Sequence, residues 1–329
     1  VWYRGSLRSQ GELLGHTYDQ YPYVRINQVP YRLNSFDSIR LVDPESPEPP
    51  NWHRLPPGGT LTRPRPHEVQ DLEACLGQII PPGISHKVLA EEIWGRGFEV
   101  FLTGSTVREI LLRGSPTDPE FVTTMPLGRL CAVVRDMYGP ERVSFGDHDA
   151  ISGRLRVGGP QGQPDGFATV RVFALESPGS QDAKFGSSFA DDVRYRDLTC
   201  DAIYYDPVNK VFVDPTGLGL ADAASCRLRP VCDGSIRPPG ELAVVGLRMV
   251  ALVMDSHSVE GGASVLEDLL RLLPALPAEL RVSALRVHVL DPAGRRGEGD
   301  PWEAARDVFG EYGLQALWNT HLQPLRELQ

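Results

Sequence analysis

The segment FLTGSTVREILLRGSPTDPEFVTT holds two kinds of residue that could do chemistry together. Gly104 and Ser105 stand where an apolar run gives way to a helical pattern. Backbone N–H groups and a hydroxyl at the start of a helix form a receptor for phosphate. Asp118 and Glu120 follow at i and i+2, a spacing that puts both carboxylates on one side of a strand. Facing a cleft, such a pair chelates a divalent cation and aligns a triphosphate. Each feature also has a plainer meaning. Gly-Ser before a helix serves as a turn and cap, and Asp-Pro-Glu as a solvated turn. Pro119 fits poorly in an interior strand.

The rest of the composition narrows the classes. Over 329 residues, 41 % hydrophobic and 23 % charged content describes a globular chain of one large domain or two ordinary ones. The 33 glycines and 29 prolines predict long loops between the elements. A net charge of -10 argues against a protein devoted to gripping nucleic acid, while leaving room for a local basic groove. The cysteines Cys75, Cys131, Cys200, Cys226 and Cys232 are odd in number and scattered, as buried reduced thiols are. No window of about 18 apolar residues is present, so no membrane span is expected.

These residues must be positioned by elements legible in the pattern. Strands are expected at YPYVRIN and SIRLVD with a turn at HTYDQYP, followed by the proline-rich linker PESPEPPNWHRLPPGGTLTRPRP. Helices at HEVQDLEACLGQII and KVLAEEIWGRG precede a buried strand FEVFLTG, a helix STVREILLRG and a strand EFVTTM. A helix LGRLCAVVRDMYG, a strand FATVRVFAL, a helix over residues 191–206 and a short strand KVFVDPTG complete the unit. Beyond about residue 240 the pattern turns helical (LAVVGLRMVALVM, SVLEDLLRLL, DPWEAARDVFGEYGLQALW), interrupted by RVSALRVHVLD with strand-like alternation. The expected fold is α/β (α+β), a small mixed sheet backed by helices. Three regions are expected: a β-rich extension with linker over 1–66, a head over 67–235, and a mainly helical region over 236–329.

FLTGSTVREILLRGSPTDPEFVTT resembles the nucleotide-binding head of the tRNA nucleotidyltransferase and bacterial poly(A) polymerase family, which reads GGxVRDxLLGRxxxDxDxxT. Downstream, DDVRYRDLTCDAIYYDPVNKVFVDPTGLGLADAASCRLR resembles the family segment EDxxRRDFTxNAxxxDxxxxxxDPxGGxxDLxxxxLR. The resemblance covers roughly residues 86–250. It implies that Gly104 and Ser105 contact a triphosphate, with Arg108 and Glu109 on the helix that follows. It makes Asp118 and Glu120 the metal ligands and directs Arg196 and Asp197 to the incoming nucleotide. Asp201 stands where the family has asparagine. The third family carboxylate falls at Gly166, with Asp165 adjacent. In ELAVVGLRM only Arg248 remains of an arginine-rich segment, Leu242 and Val245 replacing its neighbours. Glu267, Asp268 and Arg271 form an EDxxR pattern that resembles a base-reading motif and equally suits an amphipathic helix.

Two functions from different classes follow. The departures at Ser105, Glu109, Pro119, Glu120 and Gly166, with the lost arginines, favour a degenerate, non-catalytic RNA- or protein-binding subunit. An organellar ribonucleoprotein such as a mitochondrial ribosome is the expected setting, since the chain opens at Val1; cytoplasm is the alternative. That protein would need no cofactor, and its partners would be RNA or protein subunits, with neither DNA nor membrane. The alternative is an active template-independent RNA nucleotidyltransferase of the CCA-adding or poly(A) polymerase type, using ATP or CTP with Mg²⁺. A weaker third is nucleotidyl transfer onto a small molecule or a protein.

Overall fold

The apolar run VFLT becomes a strand buried along its whole length, Val100–Thr103, in a computed structural model of the chain. The structure describes residues 2–3, 6–7, 12–16, 22–26, 29–32, 37–38, 55–80, 83–96, 98–112, 114, 119–125, 127–144, 154–157, 168–172, 189–207, 209–231, 237–290 and 300–328. Asp118, Asp165, Gly166 and Cys232 lie outside the described residues, as do the turn expected within HTYDQYP and most of SIRLVD. The chain divides into two units, Val1–Asp192 with Tyr204–Pro215, and Val193–Ile203 with Thr216–Gln329.

In the first unit, the N-terminal strands are β1 (Trp2–Tyr3), β2 (Ser6–Leu7), β3 (Glu12–His16), β4 (Pro22–Ile26), β5 (Val29–Arg32) and β6 (Asp37–Ser38). They form two small antiparallel sheets, β2-β1-β6 and β3-β4-β5. Next come β7 (Thr60–Thr62), α1 (Pro66–Gly77), a short hairpin of β8 (Ile79–Ile80) and β9 (Ile84–Ser85), and α2 (His86–Gly95). Proline at the first position of α1 costs no hydrogen bond. The Ser85 hydroxyl caps α2 by accepting from the Val88 N–H at 3.3 Å.

After these come β10 (Val100–Thr103), α3 (Gly104–Leu111), β11 (Glu120–Thr123), α4 (Leu127–Tyr138), β12 (Val143–Ser144), β13 (Arg154–Val157) and β14 (Ala168–Val172). The last elements of the unit are α5 (Phe189–Val193, ending one residue into the second unit), β15 (Tyr204–Asp206) and β16 (Val211–Asp214). Among the described residues one mixed sheet runs β12-β13-β14-β11-β10-β15-β16-β7. Its β11–β14 pair is parallel and its other pairs antiparallel. This is the expected small mixed sheet, flanked by helices.

Register sorts the sheet into two faces. Leu102, Phe121, Val170, Tyr205 and Phe212 share one face, where α2 brings His86 to 6.3 Å from the Phe121 ring. Phe101, Val122, Thr103 and Tyr204 share the other with Glu120. There α5 sets Phe189 5.2 Å from Phe101 and 4.8 Å from Tyr204. Burying these aromatic rings stabilises that face.

Three expectations are corrected. Thr60–Thr62, within the expected linker, pairs with Val211–Asp214 as the edge strand β7. An edge position accommodates its proline-rich surroundings. The helix expected over residues 191–206 is instead the short α5, a turn, a 3₁₀ segment Thr199–Asp201 and β15. Backbone groups of 197–199 bond across to 229–231 rather than up a helix: Val231 N–H donates to the Asp197 carbonyl and Thr199 N–H to that of Arg229, both at 3.0 Å. The segment RVSALRVHVLD is helical, not a strand. It belongs to Ala278–Leu285, entered after Pro277, and to the wider turn Arg286–Leu290. Ala284, Leu285 and Val289 are its buried residues, a helical rather than an alternating spacing.

The second unit holds α6 (Gly219–Ala224), β17 (Arg227–Leu228), α7 (Pro239–Met254), β18 (Ser258–Val259), α8 (Ala263–Leu270), α9 (Ala278–Leu285), α10 (Pro301–Glu311) and α11 (Gln315–Leu317). Its core includes Leu247, Met249, Leu266, Leu270, Phe309 and Trp318. No described helix is long and apolar enough to cross a membrane.

Candidate functional site

In the first unit the chain passes from β10 into α3 at Gly104, whose φ of +64° is a conformation that side chains disfavour. The Glu120 carboxylate lies directly against it: a Cβ built on Gly104 would fall 2.1 Å from Glu120 Oε2. The acid therefore stands at the electropositive end of α3. Thr106, in the first turn of α3, fixes where β11 starts, its hydroxyl accepting from the Glu120 N–H at 2.7 Å. Ser105 is exposed in that same turn. Arg108 is buried beside Glu109, 3.4 Å away.

Pro119 does not break the parallel ladder. Proline lacks only the donor, and its carbonyl accepts from Thr169 N–H at 2.8 Å. At the level of Glu120, β14 presents Thr169, and the backbone of β13 pairs there in turn. The structure thus brings together Gly104, Ser105 and Glu120 among the expected residues of this unit. Among the described residues no group of three or more His, Cys, Asp or Glu side chains converges on a metal-sized site.

In the second unit Asp197 and Arg248, 51 positions apart, meet directly. The Arg248 guanidinium donates to Asp197 Oδ2, and Arg237 donates to Oδ1 at 2.6 Å. Arg237 also donates to the Tyr195 carbonyl. Burial by itself would raise the Asp197 carboxyl, but the charges and hydrogen bonds of Arg248 and Arg237 hold it well below the usual carboxylate range. Burial and the positive charge of Arg248 push the neighbouring His288 imidazole down to about 4, against the opposing pull of Asp197. Arg196 is buried next in sequence, and Asp201 is half-buried at the end of the 3₁₀ segment.

Other motif residues take structural parts. The Thr199 hydroxyl donates to Asp222 at 2.7 Å, and Arg229 joins the same carboxylate at 3.0 Å. Arg271 pairs with Glu267 at 2.5 Å on the exposed face of α8, as an amphipathic helix would arrange them. Sequence reasoning missed Arg237, His288 and Thr106. Arg237 left one trace, a basic residue just ahead of the Pro-Pro start of α7.

Residues 100–229 match the family model of the poly A polymerase head domain. A solved tRNA-processing enzyme with CTP is 16 % identical with a TM-score of 0.50, covering 70 % of this chain and 57 % of its own. A CCA-adding enzyme in an apo form is 15 % identical with a TM-score of 0.50, covering 80 % of this chain and 54 % of its own. At such identities the likeness is one of fold. The chain spans little more than half the length of these structures. No curated protein matches it in sequence.

Proposed function

We propose that the chain is a template-independent nucleotidyltransferase that adds a nucleotide from ATP or CTP to the 3′ end of an RNA. The observation that carries this is the meeting of Glu120 with Gly104 at the start of α3, inside the segment that matches the head domain. One ground for a non-catalytic scaffold also weakens: Pro119 leaves the ladder to β14 intact.

In the reaction the RNA 3′-hydroxyl gives up its proton to water, and its oxygen forms a bond to the α-phosphorus. The bond from that phosphorus to the β-bridging oxygen breaks, and pyrophosphate leaves with the electron pair. The N–H groups opening α3 and the exposed Ser105 hydroxyl are suited to orient phosphate oxygens. Glu120 offers hard oxygen donors, and Mg²⁺ takes one or two carboxylates together with substrate phosphates and waters. Glu120 would hold that ion, with Asp118 as the other candidate. When bound, Mg²⁺ neutralises triphosphate charge and makes the attacking hydroxyl more acidic.

The test is extension of end-labelled RNA, including a tRNA lacking its terminal CCA, with each nucleotide alone and with all four, in Mg²⁺ or Mn²⁺. Products are resolved at single-nucleotide length. Extension that disappears in Glu120→Ala and Asp118→Ala is expected. No extension under any of these conditions would return the chain to the scaffold class.

A further inference from the structure

We infer that Thr106 is a positioning residue: its hydroxyl holds the Pro119–Glu120 peptide and so fixes the Glu120 carboxylate for a divalent cation. The inference rests on the nucleotidyltransferase function proposed above and concerns the first unit alone.

β11 lies between β14 and β10 in the sheet. The peptide that joins Pro119 to Glu120 is anchored on both sides. Its carbonyl accepts from the Thr169 N–H of β14 at 2.8 Å, and its N–H donates to the Thr106 hydroxyl at 2.7 Å. The C=O and N–H of a planar trans peptide point in opposite directions, so this N–H points toward β10. There the last rung of the ladder pairs Leu102 with Phe121, and Thr103 ends β10 before α3 begins. A side chain from the first turn of α3 thus takes the donor that one more rung of backbone would have engaged.

Two restraints on Glu120 therefore come from one helical turn. Thr106 holds its backbone. Gly104, two residues earlier, leaves the space that its carboxylate fills, since a Cβ there would fall 2.1 Å from Oε2. Thr106 is fully buried. Without its hydroxyl the Glu120 N–H loses that acceptor, and the peptide can turn about its remaining bond to β14. Such a turn swings the side chain that leaves the next Cα. A carboxylate that shares a cation with phosphate oxygens and waters is sensitive to it, because Mg²⁺ demands near-ideal octahedral geometry. Threonine acts here through one atom: serine has the same oxygen, and valine the same shape without it.

The test compares the full chain with Thr106→Val, Thr106→Ala, Thr106→Ser, Ile110→Val and Glu120→Ala. Ile110 is buried on the same helix, so its variant measures the effect of loosening α3 alone. Mn²⁺ alone is titrated onto each protein and followed by electron paramagnetic resonance. Glu120→Ala identifies the part of that binding which belongs to this site. The Mg²⁺ dependence of RNA extension and thermal unfolding are measured alongside. Thr106→Val is expected to weaken Mn²⁺ binding about tenfold and to raise the Mg²⁺ concentration for half-maximal extension by a similar factor, with kcat at saturating Mg²⁺ within about threefold. Thr106→Ser should stay within about threefold of the parent on both metal readouts, and Ile110→Val within about twofold.

A folded Thr106→Val protein whose Mn²⁺ affinity stays within about twofold of the parent would overturn the inference. So would an equal loss of affinity in Ile110→Val or in Thr106→Ser. If Thr106→Val does not fold, Thr106→Ala decides on the same criterion. A parent chain that binds Mn²⁺ through Glu120 and extends RNA whatever stands at position 106 defeats the inference alone. A parent that binds no Mn²⁺ and extends no RNA defeats the proposed function, and this inference with it. Mn²⁺ binding that depends on Thr106 in a parent that extends no RNA keeps the positioning role and defeats the function.

Discussion

The carboxylate of Glu120 occupies the space in which a side chain on residue 104 would begin, 2.1 Å from Oε2 and 2.8 Å from the carboxyl carbon to a Cβ built on Gly104. Gly104→Ala meets two obstacles of different kinds. The carboxylate is the tip of a flexible side chain and can swing aside. The φ of +64° cannot relax so easily and costs an alanine about 1–2 kcal/mol. Urea unfolding should show a loss of that size, and Glu120→Ala in the same chain should not restore it. RNA extension should fall by far more than stability, because the displaced acid is the one proposed to hold the metal. Equal losses in both measurements would separate Glu120 from the reaction.

His288 sets a pH dependence whose sign is fixed. Its imidazole is pushed from 6.5 down to about 4, so between these values the unfolded chain binds more protons than the folded one. Stability from this group is complete above about pH 6.5 and is lost as pH falls toward about 4. Asp197, also depressed, adds its own loss only below the ordinary carboxylate value of 3.8. Chemical unfolding from pH 7.5 to 4.5 should therefore show a falling stability that flattens in His288→Gln. An unchanged slope would mean that the imidazole is not held neutral by its surroundings.

Tyr204→Phe tests a buried hydrogen bond. The Tyr204 hydroxyl donates to Asp192 Oδ2 at 2.5 Å, and both residues are fully buried. Phenylalanine keeps the ring packed against Phe189 and Phe101 but removes the donor. A loss of about 1 kcal/mol is expected, the scale of a side-chain hydrogen bond. Differential unfolding in urea measures it, and a loss below about 0.5 kcal/mol would show that Asp192 does not depend on this donor.

The strands beside the candidate site were more legible in the sequence than the segments around them. VFLT ahead of Gly104, and EFVT after the acids, follow rules of burial and turn chemistry that act over a few residues, and both elements formed. RVSALRVHVLD misled because its valines and leucines alternate by chance, while the face it buries was set by its neighbours. DDVRYRDLTCDAIYYD misled because its backbone bonds go to 229–231, which no local pattern announces. β7 is three residues long, too short for alternation to register. Arg237 was invisible for a similar reason: its carboxylate partner lies 40 positions upstream, and a single arginine has no period.

The edge strand β7 also has a consequence in time. Thr62 pairs with Phe212, so a ribosome releases one member of the pair about 150 residues before the other. At ordinary elongation rates that gap is on the order of ten seconds. Throughout it Thr60–Thr62 emerges with no strand to join, and β16, once made, must recruit a partner synthesised long before. Closure of the head sheet is thus a late event in the life of the nascent chain, and the interval before it is when misassociation with other chains would be most costly.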